Sequence, residues 1–171
     1  IMGFFRKMFG QGDADRGVST LEPPPATPHR VGYDPKLIDA LLSDHARLGA
    51  MFERIGKSSE SGDYDELRKL LAHFKSSLQA HILTENVRFY TYVEGLTAGD
   101  RDNARIMHEF RRDMNAIARQ VVNFIKTYQT CEFASRTKRE QFARDYATVG
   151  GLLEQRLDSE ENDLYPLYVA T

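Results

Sequence analysis

His81 and Glu85 stand one helical turn apart in His81-Ile-Leu-Thr-Glu85-Asn-Val-Arg-Phe-Tyr90, and a related stretch returns as Arg156-Leu-Asp-Ser-Glu160-Glu-Asn-Asp-Leu-Tyr165. Side chains at i and i+4 leave a helix on the same face. A histidine and a carboxylate paired this way, and turned into a helical bundle, form half of a metal site. Two copies point to two half-sites. Arg156 stands where the second histidine would be, and a guanidinium has no lone pair for a metal.

The phase of each apolar ladder, at about 100° per residue, says where these groups point. His45 falls in the centre of Ile38, Leu41, Leu42, Leu48, Phe52 and Ile55. His81 and Glu85 fall in the centre of Leu67, Leu70, Leu71, Phe74, Leu78, Phe89 and Tyr92. Arg156 and Glu160 do so among Phe142, Tyr146, Val149, Leu153, Leu164 and Leu167. All five polar side chains therefore face inward. A charge buried alone is costly, so they pair with one another or with a metal.

His45, His81 and Glu85 make a two-histidine, one-carboxylate set of the kind that suits iron(II) with open positions. The alternative is that His45 is a core histidine bonded to a neighbour. Arg156 is expected to pair with Glu160 and to share Glu85, which leaves room for at most one metal. The other option for Arg156 is a head that snorkels to the bundle end. The remaining ladder is Ile106, Phe110, Met114, Ile117, Val121, Phe124 and Tyr128, with Phe110 in the ligand phase. His108 lies off that stripe and is a fallback ligand only if the helix start is unwound or rotated. His73 and Glu161 read as solvated. Tyr90 and Tyr165 read as packing residues at the bundle end, with hydrogen bonding to the carboxylates as the alternative.

The elements that position these groups are legible from punctuation. Of 6 prolines, five fall at or before Pro35 and the last is Pro166. The long proline-free stretch between them accommodates four helices and disfavours a β-rich domain. The first helix is expected from Asp34 as N-cap and Pro35 in its first turn to a stop near Gly56. The second runs from about Asp63 to Glu94, the third from about Asp100 to Tyr128, and the fourth from near Ser135, with Gly150-Gly151 weakening its middle. The predicted fold is all-α, an up-down-up-down four-helix bundle over residues 34 to 169. Residues 1 to 33 read as an N-terminal arm and a proline-rich linker centred on Pro23-Pro24-Pro25.

Composition narrows the function classes. A chain of 171 residues can bury one core without staples. The net charge of −2 and the lack of a basic run argue against nucleic acid as a partner. Cys131 is the single cysteine, so no intramolecular disulfide or cysteine metal cluster is available. No apolar run approaches the roughly 20 residues of a membrane span. A cytoplasmic location is expected. Phe4, Phe5, Met8 and Phe9 around Arg6 and Lys7 do not make a signal-peptide core. They form an arm that packs back, docks a protein partner or touches a membrane surface weakly.

The pattern resembles the hemerythrin-like, or HHE cation-binding, family over roughly residues 34 to 169. The segments that carry it are Leu42-Ser43-Asp44-His45, His81-Ile-Leu-Thr-Glu85 and the ending Glu160-Glu161-Asn-Asp-Leu-Tyr165-Pro166. The resemblance implies a four-helix bundle holding two non-haem irons, with a lone histidine and a His-x-x-x-Glu pair from each half and both carboxylates bridging. His45, His81, Glu85 and Glu160 fall on ligand positions. Phe110 and Arg156 occupy ligand positions without ligand chemistry. The expected function is a sensor or regulatory binding module with one iron or none. The alternative is a working di-iron protein that handles dioxygen, nitric oxide or iron, with His108 or water replacing the lost ligands. An enzyme is not expected, since the chain has no phosphate loop, zinc-protease motif or nucleophile elbow.

Overall fold

The structure, a computed structural model, describes residues 31–171. The expected N-terminal arm, and most of the linker, lie outside the described residues. Four long helical segments form the bundle and no strand occurs among the described residues. They are α1 (Leu37–Ser61), α2 (Tyr64–Thr84) with its continuation α3 (Thr91–Thr97), α4 (Arg101–Gln129) and α5 (Arg136–Ser159). Each neighbours the next, and α5 returns beside α1.

Short polar caps set the starts. Asp63 accepts from the Glu66 amide, Asp100 from those of Asp102 and Asn103, and Ser135 from that of Lys138. Each satisfies an amide that the first turn leaves without a helical partner. Asp34 is not the cap of α1. Its carboxylate accepts from the Lys36 amide and its carbonyl from the Leu37 amide, so a turn precedes the helix.

Gly56 does not stop α1, which continues to Ser61 and ends at Gly62 with φ of 75°. The left-handed position is the one that needs glycine. Gly56 serves close packing instead: a Cβ there would lie 2.6 Å from the Tyr146 hydroxyl oxygen. That hydroxyl donates to the Phe52 carbonyl at 2.9 Å, and the Phe52 and Tyr146 rings stack with centroids 4.3 Å apart. Gly150-Gly151 does not interrupt α5.

The core follows the ladders with two departures, and the first is Leu42 on α1, which is exposed although the ladder placed it inward. Leu41, Ile55, Leu67, Leu71, Phe74, Val121 and Phe142 are fully buried. At the start of α4, however, Met107 is buried while Ile106 and Phe110 are half-buried, so the stripe sits one residue round from the expected phase. Two departures from α geometry matter most. A π-helical turn, Glu85–Tyr90, separates α2 from α3, and a second, Glu160–Leu164, follows α5 before a 3₁₀ turn at Tyr165–Leu167. Each begins at one of the two inward glutamates.

Candidate metal centre

The five inward polar residues meet. His45, His81, Glu85, Arg156 and Glu160 are each 5 % exposed or less. His45, His81, Glu85 and Glu160 bring one ligand atom apiece within 4.8 Å of one another. Helix α1 supplies His45 and α2 supplies His81. The two π turns supply Glu85 and Glu160, and α5 supplies Arg156.

The imidazoles face each other. Their Nε2 atoms are 3.2 Å apart, with ring centroids at 4.8 Å. The outer nitrogens look toward carboxylates. Nδ1–H of His45 donates to Glu161 Oε1 at 2.8 Å, while Nδ1 of His81 lies 3.5 Å from Asp44 Oδ2 and has no hydrogen-bond partner. For His45 the carboxylate behind the ring fixes the tautomer and leaves the inner nitrogen as a lone-pair donor. His45 Nε2 also lies 3.2 Å from Glu160 Oε2 and 3.1 Å from the Tyr165 hydroxyl oxygen. The one proton of that hydroxyl goes to Glu85 Oε1, at 2.8 Å. Acceptors thus converge on one point, and only a proton or a cation there relieves them. Nitrogens about 2.1 Å from a shared divalent ion, at angles near 100°, stand about 3.2 Å apart, so this donor set fits one ion.

A second ion meets a guanidinium. Arg156 Nη2 donates to Glu85 Oε2 at 2.5 Å, Nη1 donates to the Met114 carbonyl at 2.8 Å, and Nε lies 2.7 Å from Glu160 Oε1. The expected pairing with Glu160, shared with Glu85, is present, and the head does not snorkel to solvent. Glu85 has both oxygens engaged, by Tyr165 and Arg156. Glu160 accepts no hydrogen bond: its approach to Arg156 is an ion pair without hydrogen-bond geometry. Glu160 is therefore the carboxylate with lone pairs to spare.

Ionisation follows from burial and neighbours. Burial opposes charge on Arg156, but Glu160 and Glu85 outweigh it and its pKa rises further. Burial also opposes charge on His45, yet the adjacent Glu160 and the bonded Glu161 prevail and raise its pKa above the usual histidine value. For His81 burial wins and the pKa falls. Burial, then the nearby Glu160, raise the pKa of Glu85 against the pull of Arg156. The Tyr165 and Tyr90 hydroxyls are pushed far up, by burial first and then by Glu85 and Glu160.

Not every residue singled out in the sequence joins the group. His108 is exposed on α4 and lies outside the cluster, because the start of that helix is neither unwound nor turned inward. Phe110 is half-buried and packs against the core. His73 is exposed, as its phase requires. Glu161 is the main miss. It is partly exposed, but its carboxylate holds His45. Tyr165 does more than pack. In an α-helix five residues advance about 500°, which would leave Tyr165 roughly 140° from Glu160. The wider π turn brings i and i+5 closer to one face. Asp44, 3.5 Å behind His81, is the second residue the phase argument passed over.

Four antiparallel helices closed around a buried histidine–carboxylate group define a cation-binding helical bundle. The family model for the hemerythrin HHE cation binding domain matches residues 36–168, and the chain belongs to that family. No curated protein and no solved structure matches it significantly. Among the described residues no helix is long and apolar enough to cross a membrane.

Proposed function

We propose that this protein is a hemerythrin-like sensor or regulatory module that takes up a single iron ion, held by His45, His81 and Glu160. In this reading Glu85 is a structural carboxylate held by Arg156 and Tyr165. The observation that carries the reading is the Arg156 guanidinium seated between Glu85 and Glu160. It puts a fixed positive charge in the place of a second ion and neutralises much of the charge a second ion would offset. Glu161 supports His45 from behind and Tyr165 fixes Glu85.

Iron(II) with two histidines and one carboxylate keeps open positions, which supply a place for a small donor ligand. A module of this kind reports a change of metal or ligand through the elements that carry its ligands, here α1, α2 and the π turn that follows α5. The experiment is metal analysis and optical spectroscopy of freshly purified protein. One iron or less per chain, without oxo-bridge absorption, is expected. Two irons with that absorption would establish the di-iron alternative and overturn this reading.

A further inference from the structure

Beside the His/Glu group lies a cavity of about 210 Å³ between α1, α2 and α5. Its walls are apolar, with Leu48, Phe52, Phe74, Leu78, Leu153 and Leu157 the main contributors, and its inner end is formed by His45, His81, Arg156 and Glu160. Diatomic ligands need far less room. An apolar cavity of about 150 Å³ holds benzene, so this one takes a single ring with a short arm.

The outer end has its own chemistry. Gly49 and Glu53 on α1, and Gly150 and Glu154 on α5, line the cavity in the same i, i+4 arrangement. A side chain at Gly49 would meet nothing within 4 Å, so the missing Cβ leaves open space at the rim. Glu53 and Glu154 are exposed, and among the described residues neither makes a hydrogen bond or an ion pair. An unpaired carboxylate on each side of the opening favours a cation. The inner end is different: the Arg156 guanidinium there disfavours a second positive charge.

We infer that this cavity is a binding site for a small organic ammonium ion, its one-ring apolar body between Phe52, Phe74 and Leu153 and its ammonium at the rim between Glu53 and Glu154. A hydrated metal ion is a poor occupant, because the apolar walls cannot replace its hydration shell. An organic anion is repelled by both rim carboxylates. The inner end of such a ligand abuts His45 and His81, which places it against the metal group without making it depend on metal.

The test is titration calorimetry of the full chain, metal-free and iron-loaded, with 2-phenylethylamine, its neutral isostere 2-phenylethanol and the anion 3-phenylpropionate. The amine is expected to bind tightest in the metal-free protein, whether or not iron proves to be the physiological metal. Glu53→Gln and Glu154→Gln should each weaken it about 3- to 5-fold, as befits exposed ion pairs. Gly49→Leu fills the rim on a helix that gains propensity from the change, and should abolish binding while the thermal transition persists. The proposal is overturned if the alcohol or the acid binds as well as the amine. It is equally overturned if the Gly49→Leu variant binds like the parent, or if no amine binds at millimolar concentration.

Discussion

Arg156 on α5 donates to Glu85 across the bundle at 2.5 Å, joining the end of one half of the sequence repeat to the metal motif of the other. Both groups are buried, and the guanidinium also reaches the Met114 carbonyl on α4. One side chain thus ties three helical segments together at the level of the site.

Removing it should therefore be expensive. Arg156→Ala leaves two buried carboxylates without their cation, and a loss of about 3–5 kcal/mol in urea unfolding is expected. Added divalent metal should recover part of that loss. A change below about 1 kcal/mol would mean that the pair is not buried in solution.

The two glutamates should behave differently. Glu160→Gln is expected to cut iron affinity by more than 10-fold, as His81→Ala should, because each removes a donor atom from the converging set. Glu85→Gln should act mainly on stability, since its oxygens are taken by Tyr165 and Arg156. Equal metal losses for Glu85→Gln and Glu160→Gln would contradict this division.

Glu161 acts on His45 from behind. Glu161→Gln should lower metal affinity by about 10-fold while leaving the unfolding transition nearly unchanged, because the residue is partly exposed. Competition with a chromophoric chelator measures it. An unaltered affinity would reduce the 2.8 Å contact to a surface bond.

Metal uptake should weaken on acidification, since the ligand histidines must be neutral. Burial works against protonation of His45, but Glu160 and Glu161 raise its pKa above the usual histidine value of 6.5, so the loss should begin above that pH. In the metal-free protein the same shift contributes stability that is fully present below 6.5 and lost as pH rises through the folded value. His81, depressed by burial, has the opposite sign: its contribution is present above 6.5 and lost as pH falls through its folded value. Thermal melts of His45→Gln and His81→Gln across pH 5 to 9 should separate the two slopes. Parallel profiles in both variants would refute the opposite signs.

Gly56→Ala should destabilise by about 1–2 kcal/mol although alanine is the better helix former. The new methyl would stand 2.6 Å from the Tyr146 hydroxyl oxygen and push it off the Phe52 carbonyl. Gly49→Ala, with open space around it, is the control and should be neutral or stabilising.

The sequence by itself determined the four helices, their order and the inward phase of His45, His81, Glu85, Arg156 and Glu160. Periodicity and the cost of burying a lone charge are local facts, and they were enough for the Arg156 pairing too. What it could not settle was which atoms remain free once five polar groups share one space. That depended on two π turns, whose extra residue per turn no apolar ladder reveals. They carry Tyr165 onto His45 and Glu85, and Glu161 behind His45. With Tyr165 and Arg156 occupying Glu85, Glu160 is the carboxylate left with free lone pairs. The same limit applies at Gly56 and around the cavity, where the distance between helices decides whether a glycine ends a helix, admits a neighbour or leaves room for a ligand.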